Sequence, residues 1–248
     1  MIIAIVNQKG GTGKTTTTVN LGSALAALGK RVLLVDLDPQ GNLSYSLGIE
    51  NPRNTIVDVM MDDVPMEDAL LEREDMRVLP SSVELADVEL TLATFPKRES
   101  VLKGKLKHVA HFNYVLIDCP PSLSLLTVNA LAAADQVIIP LQMEVLSLQG
   151  LDQILTTINK MKKAFNRNLK IKGVLPVMVD KRRKLSSEVF DYISDNYDLN
   201  IFKTQIRSNV RASEAPSFGK SVIKYRPSSH SAKDYIAFAE ELINLNIN

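Results

Sequence analysis

Two lysines, three glycines and three threonines lie within eight residues near the start of the chain, and together they can bind phosphate. The stretch reads Lys9-Gly10-Gly11-Thr12-Gly13-Lys14-Thr15-Thr16. Glycine lets a backbone approach a phosphate closely and adopt a positive φ, and lysine can reach the terminal phosphates of a nucleotide. The hydroxyl of Thr15 is placed to bind Mg²⁺. These residue types in this order predict a nucleotide-binding loop.

The elements on either side of this loop are those that such a site needs. Residues 2–6 are apolar and mostly β-branched, which predicts a buried strand, and residues 15–28 are rich in Ala, Leu and Thr, which predicts a helix. A strand, a glycine-rich turn and a helix direct several backbone N–H groups at one anion. The common pattern G-x-x-x-x-G-K-[ST] is not met, because Gln8 stands at its first glycine and Lys9 precedes the glycines that are present.

Further carboxylates follow predicted strands. Residues 31–36 form an apolar run that leads into a polar loop with Asp38, and residues 114–118 form another that ends at Asp118. Open α/β sheets bind ligands at the carboxyl ends of their strands, so we expect Asp118 to lie beside the glycine loop. A carboxylate there suits a role in holding Mg²⁺ through water. The alternative is an aspartate that caps a turn at the end of its strand.

The rest of the chain alternates between strand and helix patterns. We predict further strands at 76–80, 136–141, 171–179 and 201–206, helices at 85–106, 147–165, 186–196 and 228–245, short helices within 51–74, and a loop at 207–224. This alternation predicts an α/β fold, a doubly wound, mostly parallel sheet flanked by helices. No linker or internal repeat is evident, so we expect residues 1–248 to form a single domain.

Composition limits the class of protein. The 248 residues are 45% hydrophobic and 23% charged, as in ordinary soluble globular proteins, and no apolar run reaches the roughly 18 residues that a membrane span requires. The single cysteine, Cys119, excludes a disulfide framework or a cysteine-based metal cluster within one chain and fits a reducing cytoplasm. A strand begins at residue 2, so we expect no signal peptide.

Charge is distributed unevenly along the chain. Residues 160–233 contain seventeen Lys or Arg against six Asp or Glu, whereas residues 51–100 contain twelve acidic residues against five basic ones. Either both are solvated faces, or the basic one contacts nucleic acid or anionic lipid, and composition does not decide between these. The final predicted helix has a normal apolar stripe and an acidic, not basic, end, which favours packing over membrane attachment.

Four segments together resemble the ParA/Soj family of partition ATPases, relatives of MinD with a deviant Walker A motif. They are Lys9–Thr16, Val35–Asn42, Val115–Ser122 and Asn209–Lys220. The resemblance implies a deviant Walker P-loop NTPase fold with ATP and Mg²⁺ as cofactors. It also implies an ATP-dependent homodimer that binds DNA without sequence preference and a slow hydrolysis that an adaptor of ParB type stimulates. Such a protein would be cytoplasmic and associated with the nucleoid, with no membrane partner.

The same resemblance assigns a role to each polar residue of the site. Lys9 would cross to the nucleotide of the partner subunit, whereas Lys14 would bind the β- and γ-phosphates in its own subunit. Thr15 would bind Mg²⁺, Asp38 would orient the attacking water beside the metal, and Asp118 would be the Walker B acid. Phosphoryl transfer to water needs positioned charge more than covalent help, so these groups suffice chemically.

Two other sets of contacts follow from the resemblance. The adenine base would lie near Met178 and Asn209. Phosphate groups of DNA would be bound by basic residues of the final third, for which the candidates are Arg207, Arg211, Lys220, Lys224, Arg226 and Lys233. Phosphate contacts of this kind give strong salt dependence and little base readout.

Three other functions were weighed. A MinD-like ATPase that cycles on a membrane is disfavoured by the acidic C-terminal end. A nitrogenase-reductase-like electron carrier needs two cysteines per subunit, and this chain has one. A metabolic ATP-dependent ligase, such as one of dethiobiotin synthetase type, would need a second substrate site that the sequence does not reveal.

Overall fold

A seven-stranded sheet forms the centre of the part of the chain that the structure describes. The computed structural model describes residues 1–180 and 184–246, without the side chains of residues 108 and 184–187, so Lys181, Arg182 and Arg183 of the basic region lie outside the described residues. The strands are β1 (Ile2–Ile5), β2 (Val32–Asp36), β3 (Leu71–Arg73), β4 (Met76–Leu79), β5 (Tyr114–Asp118), β6 (Gln136–Gln142) and β7 (Lys170–Val177). Their order is β3-β4-β2-β5-β1-β6-β7, and only β3 is antiparallel to its neighbour among the paired strands.

Helices cover both faces of the sheet, so the predicted doubly wound α/β fold is confirmed. They are α1 (Lys14–Ala27), α2 (Asn42–Ser46), α3 (Ile56–Met61), α4 (Met66–Ala69), α5 (Leu85–Leu92), α6 (Val101–Lys105), α7 (Leu125–Ala133), α8 (Val145–Ala164), α9 (Lys184–Asn196), α10 (Val210–Glu214), α11 (Val222–Tyr225) and α12 (His230–Asn244). Successive residues of β2 enter different cores. Val35 packs with α7 and α8, and Leu34 packs with α1 and α12.

The register of the sheet brings polar residues to one edge. Ile5, the last residue of β1, is paired with Asp118, and Asp36, the last residue of β2, is paired with Asp118 from the other side. The glycine loop therefore leaves the sheet beside Asp118, as the predicted strand ends require. This is the carboxyl edge, where sheets of this kind bind ligands.

The segment 201–206 is not a regular strand, contrary to the sequence prediction. It contacts β7 through one isolated bridge, between Val174 and Ile201, and a second bridge joins the residues just beyond each, Val179 and Arg207. Pro176 lies between these bridges and has no N–H to donate, so the ladder is interrupted there, although Pro176 O still accepts from Ile206 N (2.9 Å) and Val179 N donates to Ile206 O (3.0 Å). The apolar pattern of this segment therefore reflects burial, which is complete for Phe202.

The segment 207–224, predicted as a loop, contains short helices. The side chain of Asn209 accepts a hydrogen bond from the first turn of α10, and that of Ser221 does the same for α11. A 3₁₀ turn, Ala215–Phe218, lies between them and ends at Gly219. Gly219 (φ 62°) and Gly48 (φ 64°) are in backbone contact, so that a Cβ on Gly219 would lie 2.9 Å from the Cα of Gly48. This contact holds the segment against α2.

Two further elements had no counterpart in the sequence predictions. Helix α7 is nearly all apolar and begins where the Ser124 side chain accepts a hydrogen bond from Leu126 N. Strand β3 is three residues long and joins β4 through a turn in which Glu74 and Asp75 have positive φ. Neither has the amphipathic period that identifies a helix or strand from sequence.

Candidate functional site

The glycine loop is held in place before any ligand binds. Asn7 fixes its base, because its side-chain amide donates to Pro140 O (2.8 Å) and its side-chain oxygen accepts from Lys9 N (3.0 Å). Gly13 takes a left-handed φ of 76°, after which α1 begins at Lys14. Unpaired N–H groups and the helix dipole at such a terminus favour an anion.

The two lysines of the loop lie in opposite environments. Lys14 is only 7% exposed, and burial lowers its pKa while the nearby Asp118, Cys119 and Asp38 oppose that effect. Lys9 is exposed and does not line the cleft that the loop encloses. Lys14 therefore serves the cleft of its own chain, and the Lys9 side chain is available to a molecule outside it.

Asp118 is fully buried and incompletely satisfied. Its Oδ1 accepts from the Thr18 hydroxyl at 3.4 Å, and its Oδ2 has no hydrogen-bond partner among the described residues. Burial raises the pKa of Asp118 to about 8, with a further contribution from the charge of Asp36, and the Thr15 hydroxyl and Lys14 oppose the rise. A buried carboxylate oxygen without a partner, beside a threonine hydroxyl, fits the oxygen donors that Mg²⁺ prefers. The residues present therefore fit a magnesium ion.

Asp38 lines the same cleft from the β2 side. Its Oδ1 accepts from Gln40 N (3.0 Å), and its backbone carbonyl accepts from Gly41 N (2.9 Å). The carboxylate is 7% exposed. Its orientation is thus set by the turn that it closes.

Asp36 anchors this turn, and the sequence analysis assigned it no role. Its Oδ2 accepts from both Ser44 N (2.9 Å) and Ser44 Oγ (2.7 Å), and its Oδ1 accepts from Asp38 N (3.3 Å). Ser44 Oγ in turn accepts from Ser81 N at 3.1 Å. Burial raises the pKa of Asp36 to about 6, although the bonds from Ser44 counteract it. The available signal was a charged residue that ends an otherwise apolar strand.

A cleft of about 540 Å³ lies over the glycine loop, and Lys14, Thr15 and Asp38 line it whereas Asp118 does not. It is lined by Gly10, Gly11, Thr12, Gly13, Lys14, Thr15, Thr16, Asp38, Gln40, Asn42, Tyr45, Ser46, Pro121, Met178 and Pro216. Met178, at the end of β7, has its Cε 3.6 Å from where a Cβ on Gly13 would lie. Asn209 is not among the lining residues, and its side chain instead caps α10 through Arg211 N at 2.8 Å.

Three of the six basic residues proposed from sequence are engaged within the chain. Arg207 contacts Asp234 through Nε (2.9 Å) and Nη2 (2.5 Å). The other two pairs are Arg211 with Glu214 at 2.7 Å and Lys224 with Asp75 at 3.2 Å. Asp234 is 8% exposed, so its pair with Arg207 fixes α12 to the segment that precedes α10.

The other three basic residues are exposed. Lys220 and Lys233 have no side-chain ion pair among the described residues, and Arg226 lies close enough to Glu214 to lower the pKa of that carboxyl. These three therefore remain the more available cations of the set.

Relatives of the chain are known from sequence. A family model described as an AAA domain matches residues 1–171. The chain is 46% identical to the sporulation initiation inhibitor protein Soj of Bacillus subtilis over 246 residues, covering 97% of each chain. It is 44% identical to the chromosome partitioning protein ParA of Caulobacter vibrioides, covering 98% of this chain and 94% of that one.

Solved structures agree with the fold. One is named cobyrinic acid a,c-diamide synthase, from Mycobacterium smegmatis, with a bound ATP analogue and magnesium. It has a TM-score of 0.87 and 38% identity, and the match covers 98% of this chain and 94% of that one. No described helix is both long enough and apolar enough to pass through a bilayer. The full-length identity to Soj and ParA, with the nucleotide loop and carboxylates at one sheet edge, establishes that the chain belongs to the ParA/Soj family of chromosome-partitioning ATPases.

Proposed function

We propose that this ATPase forms an ATP-dependent homodimer that binds DNA nonspecifically and positions a chromosome, plasmid or other cargo. An adaptor protein of ParB type would stimulate its slow hydrolysis and thereby release it from DNA. ATP and Mg²⁺ are its cofactors. We further propose that residues 1–248 act as one domain and that the protein works on the nucleoid in the cytoplasm.

The contrast between Lys9 and Lys14 is the observation that carries this proposal. Lys14 is buried at the cleft, whereas Lys9, five residues earlier in the same loop, is exposed and is not among the residues that line the cleft. A lysine held outward beside a nucleotide site can reach the nucleotide of a second copy. If it does, hydrolysis requires two subunits, and the nucleotide then controls assembly.

The remaining residues would divide the chemistry as follows. The N–H groups of residues 10–16 and Lys14 would bind the phosphates, and Thr15 and Asp118 would hold the magnesium ion together with Asp38. When bound, Mg²⁺ neutralises charge on the phosphate oxygens. Asp38, oriented by its own turn, holds the attacking water in line. Met178, which lines the cleft, would contact the base, and Asn209 would contribute through α10, which its side chain caps.

Paired lysine variants test the proposal. For Lys9→Ala we expect near-normal ATP affinity with loss of dimerisation and stimulated hydrolysis, and for Lys14→Ala loss of ATP binding itself. Light scattering after size exclusion with ATP, and a fluorescent ATP analogue, give the two readouts. Equal loss of ATP binding in both variants would contradict a role for Lys9 in the partner's site.

DNA binding has its own test. Asp38→Ala should hydrolyse ATP poorly and so accumulate the ATP-bound dimer, which should shift to a larger size with duplex DNA of arbitrary sequence. A variant that stays monomeric with ATP and ignores DNA at low salt would refute the partition role. Pelleting with anionic vesicles in parallel would reveal the MinD-like alternative.

A ligase is the second candidate function, favoured by the name of the M. smegmatis structure. A second cleft of about 540 Å³ borders the nucleotide cleft, because Tyr45 lines both, and it could take a second substrate. Its lining contains one cation, Arg53, and a single positive charge would neutralise little of the negative charge of a substrate with several carboxylates. ATP consumption that requires an added carboxylic acid and an ammonia donor would favour the ligase over the partition ATPase.

A further inference from the structure

A group of basic residues between 160 and 172 takes no part in the site described above. Three of them line one cleft of about 410 Å³, beside the start of β7 at the amino edge of the sheet. We call it the amino-edge cleft, and its lining residues are Asp135, Gln136, Lys162, Arg167, Asn168 and Lys170. It lies at the opposite edge of the sheet from the glycine loop.

The charge of this cleft is positive. Lys162, Arg167 and Lys170 have no ion pair within the described ranges, and all three are exposed. The one acid in the lining, Asp135, already accepts from Ile2 N through Oδ2 at 2.8 Å. Three cations therefore face a single carboxylate that also serves to hold β1.

The backbone that carries these cations is fixed. Asn166 donates from its side chain to Leu131 O (3.0 Å) and Ala134 O (2.7 Å), and Leu169 is buried with its N–H bonded to Asn166 O at 3.1 Å. Lys170 is in register with Gln136 in the sheet. A ligand that binds here would not have to order the loop, which reduces the entropic cost of binding.

Helix stabilisation explains only part of this cluster. A cation in the last turn of a helix interacts favourably with the helix dipole, which accounts for Lys162 in α8. Arg167 and Lys170 lie beyond that helix, on the loop and on β7. The pKa of the neighbouring Lys172 is lowered by burial and then by the positive charge of Lys170, so that charge is not neutralised locally.

We propose that the amino-edge cleft binds phosphate groups of the nucleic-acid backbone, and this inference rests on the DNA binding proposed above. Arg and Lys are the usual phosphate ligands, and the lining contains no aromatic side chain on which a base could stack. Of the six DNA-binding candidates that the sequence suggested, Lys220 and Lys233 are clearly without an ion pair among the described residues. The cleft adds three unpaired cations to these.

The test uses the full-length protein with ATP and Mg²⁺, a fluorescent duplex of arbitrary sequence, and a series of salt concentrations. The variant is Lys162→Gln/Arg167→Gln/Lys170→Gln, and its matched control removes three exposed lysines elsewhere, Lys97→Gln/Lys103→Gln/Lys107→Gln. Each phosphate contact contributes about 0.9 to the slope of log K against log salt. We expect the cleft variant to lower that slope by about 2–3 and the control to lower it by less than about 1. ATP hydrolysis without DNA should be equal in all three proteins.

The possible outcomes separate this inference from the proposed function. If the wild-type protein does not bind the duplex, both are refuted. If it binds and the cleft variant matches the control, this inference alone is refuted and the C-terminal segment carries the contact. If the cleft variant loses binding to phosphatidylglycerol vesicles while its duplex binding is unchanged, the cleft is a lipid site and the inference is wrong. Arg167→Lys keeps the charge and should retain most of the slope.

Discussion

The carboxylates at the nucleotide edge and the cations of the C-terminal third are positioned by different means. Asp36 and Asp118 end adjacent strands, are fully buried, and are placed opposite each other by the register of the sheet. Arg211 and Lys224 lie on short surface helices, and each is directed by a single acidic partner, Glu214 and Asp75 respectively. Backbone geometry fixes the first group, so its chemistry is built in. The second group is held only by surface ion pairs, which are individually weak, so the sheet does not fix its geometry.

The largest loss of ATP hydrolysis should come from removing the carboxylate of Asp38, which lies in the turn that follows β2. Asp38→Ala should reduce ATP hydrolysis about 100-fold or more, because a positioned acid or base typically contributes 10²–10⁴. ATP affinity should change little, since Asp38 contacts none of the phosphate-binding N–H groups. Phosphate release and nucleotide affinity are the measurements, and Asn42→Ala, which changes a neutral residue of the same lining, is the control. A reduction of less than tenfold would mean that the fixed geometry is not used in catalysis.

A smaller loss of ATP hydrolysis is expected from changing Asp36, which positions Asp38 and does not itself line the cleft. In Asp36→Asn the amide NH₂ would face Asp38 N–H or the Ser44 donors, which loosens the turn. We expect hydrolysis to fall about tenfold, equivalent to about 1.4 kcal/mol in the barrier, with unchanged ATP affinity. Ser44→Ala keeps the bond from Asp38 N and should cost less. If ATP affinity and hydrolysis fall together, Asp36 supports the fold in general and not the position of Asp38.

Substituting a paired cation should lower the stability of the fold and leave DNA binding unchanged. Arg207→Gln breaks the bonds to the nearly buried Asp234, and we expect it to lower the free energy of unfolding by about 1 kcal/mol, a value reduced from the usual range because Arg207 is partly exposed. Lys220→Gln, without such a partner, should leave unfolding unchanged and weaken DNA binding. Urea titration and anisotropy measure the two quantities. The opposite result would show that Arg207 leaves Asp234 to bind DNA.

The buried carboxylate of Asp118 should carry a modest stability cost in the nucleotide-free protein. Its pKa is raised to about 8 in the folded chain, so the folded state favours the proton and this contribution to stability is lost as pH rises from about 4 through about 8. Asp118→Asn should therefore unfold at a higher temperature than the wild type at pH 8.5 and at the same temperature near pH 4, with a difference that grows as the pH rises between these values. Added Mg²⁺ and ATP should stabilise the wild type more than the variant, because Asp118→Asn keeps Lys14 and the loop N–H groups but loses a carboxylate for the metal. Parallel pH profiles would contradict the role of burial.

Much of the nucleotide site can be predicted from the sequence, because most of its residues are close together in the chain. A strand end, a glycine turn and a helix start are contiguous in the chain, and parallel strands bring their ends to one edge, so the loop and Asp118 could be located together. Asp38 was found for the same reason. Asp36 was overlooked since Ser44, which donates to it, and Ser81, which donates to Ser44, come together only when α2 and the end of β4 meet β2.

The parts that sequence did not predict depend on contacts between distant residues. Arg207 and Asp234 are separated by 27 residues, and nothing in either local pattern indicates a pair. The helices of 210–225 are too short to show a period and are identified only by their capping side chains, Asn209 and Ser221. Charge counting likewise detected a basic region but could not divide it into paired and unpaired cations.

The contact between Gly48 and Gly219 has a consequence for how this chain can be altered. Both residues have a left-handed φ, and any side chain at position 219 would collide with backbone and not with a movable side chain. In a library of random variants selected for function, we expect both positions to be depleted of every residue but glycine. A grafted C-terminal segment from a relative would need the same pair to be inherited together.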